Sequence, residues 1–305
     1  MEFRPLAEGL EFPEGPVALD DGSVLLVEIA AGTLTQVAPD GTKSLAARTG
    51  GGPNGAAIGP GGKCYIANNG GFEWHREAGH IRLLMQAKDY SGGRIERVDL
   101  ATGAVEMLYR ACGEVPLKGP NDLVFDAHGG FYFSDLGKAR ARDMDRGAVY
   151  YAKADGSSIT EVAFPMVTPN GVGLSPDGST LYVAETEAAR LWAFPIEAPG
   201  IVKKEPWPSP HGGRLVAGMG GYQRFDSLAV QEDGRICVAT LVNGGITVIS
   251  PDGRHVEHHA MPDPMTTNIC FGGPDMKTAY ITLSWTKRLV ALDWPVAGLR
   301  LNQAG

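Results

Sequence analysis

The amino-acid sequence predicts an all-β fold, a six-bladed β-propeller. Three observations lead to this prediction: a segment that recurs six times, short alternating strands after each copy, and an abundance of turn-forming residues. The 305 residues include 42 Gly and 21 Pro, which favours many short strands over long helices. Six copies of one supersecondary unit are typical of a closed repeat architecture.

Each copy of the recurring segment opens with a polar residue, runs through mostly apolar residues and reaches a turn. The six opening residues are Glu14, Asn54, Asn121, Asn170, Asp226 and Asn268. In five copies a Gly stands eight residues after the opening residue, at positions 22, 62, 129, 178 and 234. The sixth copy has Met276 there, so we expect its turn to be altered. A second apolar strand follows each turn, which predicts a hairpin.

After the hairpin a third alternating run follows, which starts at Thr33 in the first copy and at Arg94 in the second, and a fourth is visible in five copies. A four-stranded antiparallel sheet repeated six times is a propeller. The sixth copy ends after its third strand, at Asp293-Trp294, so we expect the segment from Pro5 to Leu10 to supply the missing strand and close the ring. The opening residues are 40, 67, 49, 56 and 42 residues apart, without a linker-like stretch, which predicts one domain over 1–305.

The first strand of a propeller blade lines the central channel, so the six opening residues should converge on the channel mouth. Asn and Asp before a strand often make only local turns with their own backbone. The register is strict, however, and Glu14 is a poor turn residue. Carboxylates and carboxamides together form an oxygen donor set suited to Ca²⁺ or another hard divalent ion. We therefore predict one divalent metal ion at the channel mouth, held by side-chain oxygens of the opening residues.

At these residues the chain resembles the regucalcin / gluconolactonase / luciferin-regenerating enzyme family. The matching motifs are Glu14-Gly15-Pro16, Pro120-Asn121-Asp122, Pro169-Asn170-Gly171 and Asp226 before an apolar strand. The resemblance implies a six-bladed propeller with a divalent metal in its channel and hydrolysis of a lactone. It makes Glu14, Asn170 and Asp226 metal ligands, and Asn121 a fourth ligand or a substrate contact. Asn54 and Asn268 match less regularly, and are expected to support the ligands or hold a metal-bound water.

Candidate substrate contacts come from loops on the same face. Some family members that act on sugar lactones carry an Arg two residues before the third opening residue. This chain has Gly119 there and Lys118 one residue further back, so Lys118 is a candidate contact. The loop before Asp226 adds Tyr222 and Arg224.

A long insertion, residues 69–93, separates the second and third strands of blade two. It should lie on the metal-bearing face. One interpretation is a lid or wall that offers Phe72, Trp74, His75 and His80 to the substrate, and among these His75 is our candidate contact. The other interpretation is a flap that packs on the surface.

The leading functional hypothesis is a metal-dependent hydrolase that opens a small lactone, with a sugar (aldono-) lactone as the first choice. The metal would polarise the carbonyl and activate a water, and Asp226 would assist proton transfer. Asp135 or Glu185, at the ends of second strands, are alternative bases. One competing hypothesis is hydrolysis of another ester or a phosphotriester on the same site. Another is a non-catalytic propeller with a structural ion. Ca²⁺ is the expected metal, with Mg²⁺, Mn²⁺, Fe²⁺ and Zn²⁺ as alternatives.

Composition excludes several other classes. The net charge of −8 disfavours nucleic acid and anionic membranes as partners, since both need a basic surface. No apolar run approaches a membrane span and the start lacks a signal-peptide segment, so a cytoplasmic protein is expected. The sequence contains no GxSxG, HExxH or Walker A motif.

Overall fold

The structure is a computed structural model that describes residues 3–302, and its main strands form six antiparallel sheets arranged as the blades of a ring. In chain order, β1 (Phe3–Glu8) precedes blade one, which contains β2 (Pro13–Ala18), β3 (Val24–Glu28), β4 (Thr33–Val37) and β5 (Lys43–Arg48). Blade two contains β6 (Pro53–Ile58), β7 (Cys64–Asn68), β10 (Arg94–Val98) and β11 (Val105–Tyr109). Its turn includes a short 3₁₀ helix (Pro60–Gly62), and its insertion forms a hairpin of β8 (Phe72–Glu77) and β9 (His80–Gln86).

The second half of the ring repeats this pattern. A small hairpin of β12 (Ala111–Cys112) and β13 (Val115–Pro116) precedes blade three, which contains β14 (Pro120–Phe125), β15 (Gly130–Asp135), β16 (Gly147–Lys153) and β17 (Ile159–Met166). Blade four contains β18 (Pro169–Leu174), β19 (Thr180–Glu185), β20 (Arg190–Ala198), the short β21 (Ile201–Val202) and β22 (Arg214–Gly218). Blade five contains β23 (Arg224–Val230), β24 (Ile236–Leu241), β25 (Gly245–Ile249) and β26 (Val256–Ala260). Blade six contains β27 (Thr266–Gly272), β28 (Thr278–Leu283), β29 (Arg288–Asp293) and, from the start of the chain, β1.

The ring closes through blade six, which confirms the predicted fold. β1 pairs antiparallel with β29, so that Phe3 lies opposite Leu292 and Glu8 opposite Arg288. The inner strands β2, β6, β14, β18, β23 and β27 each contact the next one around the ring, and β27 contacts β2. The six opening residues therefore lie on strands that surround one central channel.

The turn of each inner hairpin lies where the glycine spacing predicts it. The five glycines found eight residues after an opening residue all have positive φ, for example Gly22 with φ +82°. The turn of the sixth copy differs at Gly273, which has φ +79°, but it closes in the same way: Met276 adopts φ +57°, and its backbone N donates to Gly273 O at 3.1 Å. Gly22 N makes the equivalent bond to Leu19 O at 3.0 Å. The hairpin thus imposes the left-handed conformation on a residue with a side chain, at a modest local cost.

Six hydrophobic clusters hold the ring together, one between each pair of adjacent blades. Side chains that alternate along a strand face opposite neighbours. In β15, Phe131 and Phe133 pack toward blade two, whereas Tyr132 packs toward blade four. Both faces of the central strands are therefore buried, which explains their continuous apolar runs.

The channel ends of the inner strands meet backbone to backbone. A Cβ at Gly55 would lie 2.3 Å from Asn121 O, and one at Gly171 would lie 2.6 Å from Leu228 N. A Cβ at Gly15 would meet the backbone of blade two at 2.7 Å. Glycine directly after the opening residue therefore permits this close approach in three blades.

Residues 3–302 contain no helix long and apolar enough to cross a membrane. All four cysteines lie in this range and none forms a disulfide; Cys64 and Cys237 are buried in strands.

Candidate metal centre

All six opening residues are buried near the start of an inner strand. Each is at most 8% exposed, although every one of them carries a carboxylate or a carboxamide. Glu14 in blade one accepts a hydrogen bond from Asn268 Nδ2 of blade six at 2.7 Å. Buried polar groups need such partners, so the channel mouth is held by contacts between blades.

Two of the predicted ligands, Glu14 and Asp226, are carboxylates whose charges interact, and neither forms a salt bridge within residues 3–302. Burial raises the pKa of Glu14 to about 7. Burial and then the Glu14 carboxylate raise the pKa of Asp226 well above its usual range. A divalent cation would relieve both effects, since it favours the charged form of each carboxylate.

Two of the predicted ligands are amides whose oxygens remain available. Asn121 Oδ1 is buried and accepts no hydrogen bond within residues 3–302. Asn170 donates from Nδ2 to Thr186 Oγ1 at 3.1 Å, which leaves its Oδ1 with only a long contact of 3.4 Å to Ser227 Oγ. A buried oxygen without a donor fits a cation ligand.

The donor set depends on these amide oxygens. Among the described residues, no three His, Cys, Asp or Glu side chains are grouped so that they could hold a metal ion. Carboxylate and carbonyl oxygens suit hard cations such as Ca²⁺, whereas Zn²⁺ sites favour His and Cys ligands. The residues present therefore fit a hard divalent cation.

The remaining two amides are oriented differently. Asn268 donates to Glu14, and its Oδ1 accepts from the backbone N of Ile269 at 2.8 Å. Asn54 Oδ1 accepts from Asn69 Nδ2 at 3.3 Å. Both oxygens are engaged, which agrees with the expectation that Asn54 and Asn268 support the site; that assignment stays a prediction.

The candidate substrate contacts lie away from these hydrogen bonds. Tyr222 is 74% exposed, and Arg224 forms a salt bridge with Glu187 at 3.2 Å. Lys118 is exposed, and His75 bonds to a neighbour in its own hairpin. Within residues 3–302, none of the four side chains hydrogen-bonds to an opening residue, so their roles stay predictions.

The insertion of blade two begins and ends where the sequence predicts, since β7 ends at Asn68 and β10 begins at Arg94. Its hairpin reaches across to blade six, where the His80 ring stacks on Trp285 at 4.1 Å and Ile81 N donates to Trp285 O at 3.1 Å. Its other end bonds to the loop of blade three. The hairpin therefore joins blades that are not neighbours.

A cavity of about 320 Å³ lies between this hairpin and the loops of blade six. His75, His80, Met265 and Trp285 contribute to its walls, and no opening residue does. His75 and His80 therefore border a space distinct from the channel mouth.

The two alternative bases, Asp135 and Glu185, both accept hydrogen bonds from backbone N–H groups, which argues against a role as general base. Asp135 accepts hydrogen bonds from the backbone N of Lys118, Gly119 and Gly137 at 2.7 to 2.9 Å. Glu185 accepts from Val167 N at 2.7 Å. Each carboxylate thereby holds the loop that leads into the inner strand of its blade.

A family model described as the SMP-30/Gluconolactonase/LRE-like region matches residues 12–284. The chain belongs to this family. The resemblance seen in the opening motifs is therefore confirmed over most of the sequence.

Relatives of this SMP-30/gluconolactonase/LRE-like chain include a gluconolactonase and a lactonase. The gluconolactonase of Zymomonas mobilis is 24% identical over 295 residues, covering 88% of this chain and 75% of that protein. Lactonase drp35 of Staphylococcus saprophyticus is 33% identical over 142 residues, covering 47% of this chain and 42% of that protein. The chain thus matches less than half of the lactonase. Among solved structures, the crystal structure of a calcium-binding protein, regucalcin, from Agrobacterium tumefaciens superposes on this chain with a TM-score of 0.78 at 20% identity. The match covers 100% of this chain and 97% of that one, and it shows that the two share a fold.

Sequence reasoning missed two buried charged residues of this SMP-30/gluconolactonase/LRE-like chain. Asp122, to which the sequence assigns no role, is a third buried carboxylate near Glu14 and Asp226, and burial and then the Glu14 charge raise its pKa well above the usual range. Asp122 follows an opening residue, a position that holds Gly or Ser in four other blades, and this difference was a usable signal. Lys138 is almost fully buried beside the insertion, and no repeat position marks it.

Proposed function

We propose that this chain is a metal-dependent hydrolase that opens a small lactone, with Ca²⁺ as its metal and a sugar lactone as the preferred class. One observation carries the proposal: Asn121 Oδ1, which is buried and accepts no hydrogen bond from residues 3–302, lies at the same channel mouth as the mutually repelling carboxylates Glu14 and Asp226. Family membership and the lactonase names of relatives support the same activity.

Glu14, Asn121, Asn170 and Asp226 would hold the ion. When bound, it would polarise the lactone carbonyl and make a nearby water more acidic. Asp226 is our candidate for accepting the proton from the attacking water, because Asp135 and Glu185 are engaged by backbone N–H groups. Asn268 orients Glu14 by donating to its Oε2.

The experiment is a pH-stat assay over a panel of lactones that includes glucono-δ-lactone, with Ca²⁺, Mg²⁺, Mn²⁺ or Zn²⁺ and with chelator. We expect acid release that needs the metal. Glu14→Ala and Asp226→Ala should abolish it, because each removes a carboxylate ligand. Asp252→Ala, in an exposed turn of the same blade as Asp226, is the matched control and should match the wild type.

Circular dichroism of each variant would show that the fold persists. Full activity in Glu14→Ala or Asp226→Ala would refute the assigned site. No acid release from any lactone by the wild-type protein would refute the proposed activity itself.

A further inference from the structure

A buried lysine lies behind the channel mouth, in the loop between β15 and β16. Lys138 is 1% exposed, and its Nζ donates to Asn69 Oδ1 at 3.0 Å and to Gly71 O at 2.9 Å. Nζ also lies 3.7 Å from the centroid of the Phe72 ring, within the range of a cation–π interaction. A blade-three side chain is thus fixed by two acceptors and an aromatic face of the blade-two insertion.

The hydrogen bonds that start at Lys138 run in one direction. Lys138 Nζ is the donor in its bond to Asn69, so Asn69 turns its oxygen toward it. The backbone N of Gly71 donates to the same oxygen at 2.9 Å. The Asn69 Nδ2 therefore points away from Lys138, toward Asn54, whose Oδ1 accepts at 3.3 Å.

Asn54 is left with a free donor. Its oxygen is engaged by Asn69, and its Nδ2 makes no hydrogen bond to any residue among 3–302. Asn121 shows the opposite orientation, because its Oδ1 is buried and accepts no hydrogen bond from residues 3–302. The channel mouth therefore presents two kinds of amide: an acceptor, which suits a cation, and a donor, which suits an acceptor oxygen.

Close packing prevents the Asn69 side-chain amide from rotating out of this chain of hydrogen bonds. Asn69 is 1% exposed. A Cβ at Gly52 would lie 2.4 Å from Asn69 Oδ1 and 3.0 Å from its Cγ. The absence of a side chain at Gly52 gives the Asn69 amide the space that it occupies, so the chain of hydrogen bonds is built into the fold.

We propose that Lys138 is a positioning residue: acting through Asn69, it holds Asn54 with its NH₂ group free for the channel, where that group donates to an acceptor oxygen of the substrate. The acceptor would be a carbonyl, ring or hydroxyl oxygen of a lactone. Asn54 then binds substrate and does not bind the metal. This inference rests on the proposed lactone hydrolysis for the identity of the substrate.

The first experiment measures kcat and KM at saturating Ca²⁺ for Lys138→Met, Asn54→Ala and the double variant, with the lactone that the wild type hydrolyses best. Methionine keeps the length of the side chain and removes its donors. Each single variant should raise KM about 3- to 10-fold, the effect of losing one hydrogen bond, with kcat within about twofold of wild type. The double variant should be no worse than Asn54→Ala, because both changes remove the same contact. Lys88→Met, in the same insertion with its side chain 93% exposed, is the matched control.

A second variant breaks the same chain of hydrogen bonds at its middle. Asn69→Asp keeps acceptors for Lys138 and Gly71 N but has no NH₂ group for Asn54. It should raise KM as Lys138→Met does. KM within about twofold of wild type in both Lys138→Met and Asn69→Asp would overturn the inference. Additive losses in the double variant would also overturn it, because Lys138 would then act by another route.

Calorimetric titration with Ca²⁺ alone separates a substrate contact from a metal ligand. Asn54→Ala should bind Ca²⁺ with wild-type affinity. A loss of about tenfold or more, the size expected for a disturbed ligand shell, would place Asn54 on the metal and overturn the inference.

A wild-type protein that hydrolyses no lactone would refute the proposed function and still leave this inference testable. The side-chain NH₂ signals of Asn54 in a ¹⁵N-labelled protein can be assigned by their loss in Asn54→Ala. Lys138→Met should shift them, because Asn69 is no longer held. Unshifted Asn54 signals would overturn the inference whatever the activity.

Discussion

Lys138 also makes the stability of the protein depend on pH in a way that can be worked out from its surroundings. Burial lowers the pKa of Lys138 from 10.5 to about 7, although Asp135 and Asp145 nearby act in the opposite direction. In the unfolded chain the lysine keeps its ordinary pKa. Between about pH 7 and 10.5 the unfolded state therefore binds more protons than the folded state, and the free energy of unfolding rises with pH.

The magnitude follows from the size of the shift. Below about pH 7 both states carry the charge, and the full cost of about 5 kcal/mol is present. Above about pH 10.5 both states are neutral and the cost has disappeared. Between pH 7 and pH 9 the wild type should gain about 2 kcal/mol from this group.

Urea denaturation of wild type and Lys138→Met at pH 7 and pH 9 measures this gain. At a single pH the variant combines two opposite effects, a removed charge and the lost bonds to Asn69 and Gly71. The change between the two pH values cancels the lost bonds and the titrating groups that do not interact with Lys138. The difference in unfolding free energy, variant minus wild type, should fall by about 2 kcal/mol. An equal pH dependence in the two proteins would show that the pKa of Lys138 is not lowered.

Three other predictions concern the channel mouth and the loops behind it. Removing the metal with chelator should lower the melting temperature, and an excess of Ca²⁺ at about 100 times its dissociation constant should restore about 2.7 kcal/mol of stability, measured by thermal denaturation. Gly55→Ala places a Cβ 2.3 Å from Asn121 O, so we expect the unfolding free energy in urea denaturation to fall by about 2 kcal/mol and Ca²⁺ binding to weaken. The control is Gly218→Ala, where a Cβ would make an ordinary 3.7 Å contact. Asp135→Ala leaves three backbone N–H groups without their acceptor and should cost about 3 kcal/mol, and an unchanged urea midpoint would contradict the anchoring role.

The repeat made the architecture predictable because each blade satisfies the same local rules. The predicted third strands at Thr33 and Arg94 begin where β4 and β10 begin. The closing strand was predicted over Pro5 to Leu10 and lies at Phe3–Glu8, because its position depends on pairing with the distant β29 and includes an irregularity after Pro5. Pairing between the two ends of the chain sets the register of β1 on β29, and no local sequence pattern predicts it.

The candidate site was predictable only as a list of residue types. The repeat identified Glu14 and Asp226 by position. The sequence alone does not show which way the side-chain amide of an Asn faces. That orientation depends on contacts such as the one between Lys138 and Asn69, which are 69 residues apart. The candidate substrate contacts Lys118, Tyr222, Arg224 and His75 lie outside the recurring segment, where no register constrains a prediction.

The glycines after the opening residues have a consequence for the evolution and engineering of the channel. Because Gly15, Gly55 and Gly171 let neighbouring main chains touch, the spacing between these inner strands is set by backbone contacts and not by the side chains of the opening residues. An exchange among Asn, Asp and Glu at an opening position would then alter charge and donor type while the strand spacing stays constant. Metal preference could therefore drift, or be redesigned, one side chain at a time without rebuilding the ring.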